Sequence, residues 1–402
     1  MSKDNFLPKI EPGDFSLKRD PDYYKNIKMQ FGIELEICIR LSPQCLIRKG
    51  DLTRDLEHVS LKEKFDMYFE NILVKAPLAS RKLFPRIALN TEGNTYVYNL
   101  LEPFNHNGLP NVSLVTNYEE REKIYNYEIP QFEEDVTVIC GDSMSDYLNG
   151  PFSNETVVNR NLGTRIVKNK SIAFECISPK LSITGIPNDQ NISESLLPYL
   201  NLIGLNNPDC FMTNKSSGLH VNISAIDMLE NTLIPITKYP LFLFILNEYI
   251  PKERSYYNTE FRIDTSMWSK PVYRMINQLS ELNLPKDMTT KNIYDLFTDY
   301  RKAKEFNQSR KPPNNRGYPT TTYLKNKEYG LKIKNNDILE FRVFRSEKKI
   351  QKILDNTLYA MVIVMRGILF YWDKLPVKGG YKKTRSNRIK KIIRNTTKHR
   401  KN

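Results

Sequence analysis

Met29-Gln30-Phe31-Gly32-Ile33-Glu34-Leu35-Glu36-Ile37-Cys38-Ile39-Arg40 is the stretch that decides the fold class. Phe31, Ile33, Leu35, Ile37 and Ile39 leave one face of an extended chain, and Gln30, Gly32, Glu34, Glu36 and Cys38 leave the other. This is the period of a strand with one face in a core. Glu34 and Glu36 leave the opposite face roughly 7 Å apart. Alone, such a pair is the pattern of a solvated sheet face. It becomes chemistry only if other strands bring further ligands to the same side.

Three later segments have that property. Ile172 to Ile177 is strand-like and stops at Ser178-Pro179, with Glu175 opposite Ile172, Phe174 and Cys176. Gly218 to Ser224 alternates, with His220 and Asn222 on one face and Val221 and Ile223 on the other. Asp337 to Phe344 places Glu340 and Arg342 opposite Leu339, Phe341 and Val343. Gathered in one curved sheet, these faces would line a single cavity holding Glu34, Glu36, Glu175, Glu340 and His220. Their carboxyl groups should then converge within about 10 Å of the imidazole. Carboxylates crowded in a cleft raise one another's cost of ionisation unless cations neutralise them. Mg2+ or Mn2+ would do so, since these ions prefer oxygen ligands and share them with phosphates. Arg342 on the same face suits a transferring phosphoryl group. Each residue also has a plainer reading: His220 as a satisfied hydrogen-bonder, and Arg342 as a cross-strand partner of Glu340. There is no Gly-rich Walker loop, so ATP, if bound, is not held in the P-loop manner.

Four blocks, taken in chain order, resemble the amidoligase family, a branch of the glutamine-synthetase-like carboxylate–amine ligases. They are Phe31-Gly32-Ile33-Glu34-Leu35-Glu36, Glu175-Cys176-Ile177-Ser178-Pro179, Ser217-Gly218-Leu219-His220-Val221-Asn222-Ile223-Ser224 and Glu340-Phe341-Arg342-Val343-Phe344. The resemblance implies an α+β fold: a curved, mostly antiparallel sheet forming a funnel-shaped site, with helices packed on its outer face. It implies ATP and Mg2+ (or Mn2+) as cofactors, phosphorylation of a carboxylate, and attack of an amine on the acyl phosphate. Carried over, Glu34, His220 and Glu340 would hold the metal bridging the ATP phosphates. Glu36 and Glu175 would hold the metal nearer the substrate carboxylate. Arg342 would contact the phosphoryl group. Asp142 resembles the family's aspartate ahead of the Glu175 block. Asn222 stands where the family more often has a second histidine, and the Asp142–Glu175 interval is longer than usual. Arg345 and Arg316 are further candidate phosphate or carboxylate contacts. The substrates would be a small-molecule or peptide carboxylate and an amine. Two alternatives remain: an inactive ligase-fold binding protein, and a phosphotransferase of the guanidino-kinase kind.

The rest of the chain fits a catalytic body with appendages. Its 402 residues suffice for one large domain with insertions. Residues 1–28 read as an extended lead-in, 29–372 as the catalytic domain with insertions near 141–170 and 251–320, and 373–402 as a basic, disordered tail. From Lys378 to Asn402 there are 11 Lys/Arg and no acid, against a net charge of +14 for the chain. The body is therefore only mildly basic, and the tail is either a solubilising or localising appendage or a contact for nucleic acid or an acidic partner. Five widely spaced cysteines, with no Cys-x-x-Cys pair, predict reduced thiols. With no apolar signal segment at Met1–Phe6, they predict an intracellular, soluble (cytoplasmic) protein. Leu358 to Trp372 is apolar but contains Arg366, and reads as a buried helix rather than a membrane span. Helical spacing also marks Ser60–Val74, Ser193–Ile203 (broken or delayed by Pro198), Leu241–Ile250 between two prolines, Thr290–Phe306 and Ile350–Trp372. Val136–Cys140 reads as a strand, and Glu102–Asn111 and Lys311–Thr322 as loops.

Overall fold

Strand β1 runs from Ile27 to Arg40 at the centre of one twelve-stranded sheet. The computed structural model describes residues 22–40, 60–134, 171–207, 210–212, 217–239, 241–256, 330–334 and 337–374. The lead-in before residue 22, the insertion at 141–170, Val136–Cys140, Thr290–Phe306, Lys311–Thr322 and the basic tail lie outside the described residues, as do Asp142 and Arg316.

The first hairpin is β2 (Arg86–Thr91) and β3 (Asn94–Asn99), followed by β4 (Val112–Leu114) and β5 (Gln131–Glu134). Then come β6 (Ser171–Ile177), β7 (Leu181–Thr184), β8 (Phe211–Met212), β9 (Gly218–Asp227), β10 (Thr232–Ile234), β11 (Leu331–Lys334) and β12 (Ile338–Arg345). The spatial order is β11-β12-β9-β1-β6-β5-β2-β3-β4, with β7 and β8 also paired to β1 and β10 to β9. Among the described pairings only β2–β5 is parallel. The fold is α+β on a large, mostly antiparallel sheet.

Local chemistry fixes several of these joints. Glu92 and Gly93 both adopt positive φ (50° and 76°) between the paired residues Thr91 and Asn94, the two-residue turn whose twist suits a hairpin. At Ser178-Pro179 the chain stops pairing as β6 and re-enters beside β1 as β7. Proline has no N–H to continue a ladder. The Ser178 hydroxyl instead accepts from Ile33 N at 2.8 Å, and its own N donates to Ile33 O.

The helices are α1 (Leu61–Asn71), α2 (Leu78–Leu83), α3 (Tyr118–Tyr125), α4 (Asp189–Leu202), α5 (Leu241–Tyr256) and α6 (Ile350–Lys374). The apolar β1 set from Ile27 to Ile39 is at most 2% exposed and shares one core with α1, α4, α5 and α6. Phe65 of α1 meets Tyr98, Phe132 and Phe174 at centroid distances of 5.0, 5.0 and 5.6 Å. Helices thus cover the apolar face of the central strands, while on the other face a second small apolar cluster of Ala88, Val97, Val115, Ile124 and Ile129 covers β2 and β3.

Two helix expectations are corrected. α4 starts at Asp189, capped reciprocally by Asn188 and Asn191, and runs through Pro198. Burial of Ile192, Leu196, Tyr199 and Leu200 outweighs the hydrogen bond that the proline cannot make. α5 likewise continues past Pro251. α6 is long and apolar enough to span a membrane by length and composition, yet 72% of that window is buried in the fold. Its Arg366 pairs with Glu248 of α5 at 2.8 Å. Among the described cysteines, Cys176 is a buried free thiol, while Cys38 and Cys210 are disulfide-bonded, contrary to the expectation of reduced thiols.

Candidate metal centre

Register brings the polar residues together. Glu34 of β1 lies opposite His220 of β9, and Glu36 opposite Glu175 of β6. Asn222 of β9 lies opposite both Gly32 of β1 and Glu340 of β12. The β9–β12 register shifts between Phe341 and Phe344, a bulge beside Arg342 of the kind that re-aims side chains near sites.

His220 is the hub. Its Nδ1 lies 3.1 Å from Glu34 Oε2 and 3.6 Å from Glu340 Oε1, and its Nε2 lies 3.5 Å from Glu36 Oε1. Ligand atoms of Glu34, Glu175 and His220 lie within 4.8 Å of one another. All four carboxylates therefore meet the expected convergence on the imidazole. The grouping differs in one respect from that implied by the family resemblance: Glu175, expected with Glu36, also closes on Glu34 and His220.

The environment is dry: Glu36, His220, Glu340 and Arg342 are 5, 3, 2 and 8% exposed. Asn222 Nδ2 donates to Glu34 Oε1 at 2.8 Å, and Gly218 N donates to Glu36 Oε2. His220 Nε2, Glu340 Oε2 and Asn222 Oδ1 are buried without a hydrogen bond among the described residues. If Nδ1–H donates to Glu34, Nε2 presents a lone pair toward the Glu36 carboxylate. Two acceptors facing each other in a dry site are reconciled by a proton or a metal ion between them. Buried carboxylate oxygens beside an imidazole nitrogen are a donor set that Mg2+ or Mn2+ can take, so the residues fit the ions that the family resemblance implies.

Lys332 and Lys334 of β11, which the sequence reading passed over, complete the cluster. Lys334 Nζ lies 2.8 Å from Glu34 Oε1 and 3.4 Å from Glu340 Oε1, and Lys332 Nζ lies 3.5 Å from Glu340 Oε2. Burial works to raise the Glu34 carboxyl, but the hydrogen bond to His220 and the Lys334 charge hold it well below the usual carboxylate range. Burial works to lower Lys334, but Glu34 and Glu340 hold its ammonium above the usual lysine range. β12 and β9 intervene between β11 and β1, a span of roughly 14 Å in a flat sheet. The long lysine and glutamate side chains bridge it.

Arg342 Nε lies 3.9 Å from Glu340 Oε1. Arg345 is half-buried at the end of β12, paired with Gly218, and its Nε makes no hydrogen bond among the described residues. The polar row also continues past Glu175: Glu133 of β5 faces Glu175, Asn90 of β2 faces Glu133, and Asn90 Nδ2 donates to Glu133 Oε1 at 2.8 Å. Tyr127, held at φ 55°, borders this row. Burial raises its phenol, Lys334 opposes, and Glu34, Glu133 and Glu175 add to the rise. The signal for the lysines was present in Leu331-Lys332-Ile333-Lys334, a short alternation ahead of the Glu340 strand.

Comparison with protein-family models, with curated proteins and with solved structures finds no match.

Proposed function

We propose that this protein is an ATP- and Mg2+- (or Mn2+-) dependent carboxylate–amine ligase of the amidoligase kind, built on a glutamine-synthetase-like sheet. One observation carries the reading. Three carboxylates, from Glu34, Glu36 and Glu340, lie 3.1 to 3.6 Å from one buried imidazole. Lys332 and Lys334 offset part of this negative charge, and divalent cations sharing the same oxygens would offset the rest.

Glu34, Glu36, Glu175, His220 and Glu340 would hold the divalent ions, whose chemistry is to offset charge on the phosphates and on the acyl oxygen. Asn222 orients Glu34, and the Gly218 amide fixes Glu36, so the ligand oxygens are held before any substrate arrives. Arg342, and Arg345 nearer the rim, supply fixed positive charge for a phosphoryl group. In the proposed reaction a carboxylate oxygen takes the γ-phosphoryl group of ATP and ADP leaves. The amine nitrogen then attacks the acyl carbon, a proton is lost from nitrogen, and phosphate departs. The dry walls keep water from the acyl phosphate.

The test is a screen of acid and amine pairs with ATP and Mg2+, measuring ADP and detecting the amide by mass. The expected result is amide formation that Glu340→Ala abolishes while the variant stays folded. A phosphorylated acceptor without an amide would turn the reading to a kinase. Full activity in the variant would overturn the site.

A further inference from the structure

Lys334 stands where an ion would compete. Its ammonium bridges Glu34 Oε1 and Glu340 Oε1 at 2.8 and 3.4 Å, both oxygens of the candidate ligand set. A divalent ion binds a carboxylate oxygen at about 2.1 to 2.5 Å. An ammonium and such an ion cannot share Glu34 Oε1 at full strength, because like charges would sit within a few ångströms of each other. The side chains differ in freedom: Glu340 is 3% exposed and Glu34 12%, whereas Lys334 is 29% exposed and borne on the edge strand β11. The lysine has a way out toward solvent and the carboxylates do not.

We infer that Lys334 is a tethered counterion, which neutralises the Glu34–Glu340 pair until a divalent cation replaces it and then places its ammonium on a phosphate oxygen of the incoming nucleotide. This rests on the cation-site reading above. Lysine suits the role, being a compact charge on a flexible stem that binds phosphate as a point charge. Lys332, on Glu340 Oε2 at 3.5 Å, keeps part of the charge balance while Lys334 moves. Exchange of this kind links the two ligands. The cation binds weakly while it must displace the ammonium, and more tightly once an anion receives it. By reciprocity the anion gains as much from the cation.

The test uses the full-length chain. Mn2+ binding, followed by electron paramagnetic resonance of the free ion, should tighten by about tenfold in Lys334→Gln, which removes the competing charge. Glu340→Gln is the control for the site. If Glu340→Gln leaves Mn2+ affinity unchanged, the cation site itself is misread. If Glu340→Gln weakens binding while Lys334→Gln binds no tighter than the unaltered chain, only the exchange is overturned. A second measurement needs no variant. Reductive methylation of Lys334, read by peptide mass spectrometry, should speed up several-fold when Mg2+ is added. It should slow again when inorganic triphosphate accompanies the Mg2+. A labelling rate indifferent to Mg2+ overturns the displacement, and one indifferent to triphosphate overturns the phosphate role.

Discussion

Replacing Glu36 separates its structural duty from its proposed chemical one. Its Oε2 accepts the buried Gly218 N–H, and its Oε1 faces His220 Nε2 at 3.5 Å. Glu36→Ala removes both contacts and strands the amide, at a cost of about 1–3 kcal/mol for a charged acceptor in a site this dry. For a domain of this size each kcal/mol moves the melting point by about 2–4 °C, so the expected fall is ~2–12 °C. Glu36→Gln keeps a carbonyl for Gly218 and removes one negative charge from a crowded cluster. It should melt within about 2 °C of the unaltered protein or above it. Both variants should lose turnover. Thermal unfolding followed by circular dichroism in excess chelator, so that no cation contributes, measures the difference. Equal losses in the two variants, or none in Glu36→Ala, would refute the account of how Glu36 is held.

Further predictions concern the scaffold and the tail. A Cβ on Gly367 would lie 2.8 and 2.9 Å from backbone atoms of Ile245, so Gly367→Ala should force α5 and α6 apart and lower stability by about 1–3 kcal/mol, measured by urea unfolding. Ser178→Ala should cost about 1–3 kcal/mol by leaving the Ile33 amide unpaired between β6 and β7, with amide exchange at Ile33 accelerating. Deleting residues 378–402 should weaken RNA and DNA binding and flatten its salt dependence if the tail contacts nucleic acid, and unchanged binding excludes that role.

The period-two pattern made the central strands legible. β1, β6, β9 and β12 carry alternation long enough to name both faces, and those faces contain Glu34, Glu36, Glu175, His220 and Glu340. The parts that escaped are those whose cause is not local. The β2–β3 hairpin turns on Glu92-Gly93, a weaker turn signal than Asn-Gly, and both faces of β2 are largely buried. Pro198 misled because propensity counts a missing hydrogen bond but not the core that Leu196, Tyr199 and Leu200 fill. Lys332 and Lys334 sit on a four-residue strand whose partner is known only from the sheet order. The meeting of Lys334 with Glu34 depends on the order of the strands between them, which no single stretch of sequence encodes.

The central claim is that divalent cations and ATP phosphates meet at the His220 cluster. Crystals grown with Mn2+ and a non-hydrolysable ATP analogue, measured at the manganese absorption edge, test it most directly. The account predicts anomalous density within about 2.0–2.4 Å of carboxylate oxygens from Glu34, Glu36 and Glu340, with the γ-phosphate beside Arg342. Manganese elsewhere, or nucleotide bound away from this face, would contradict it.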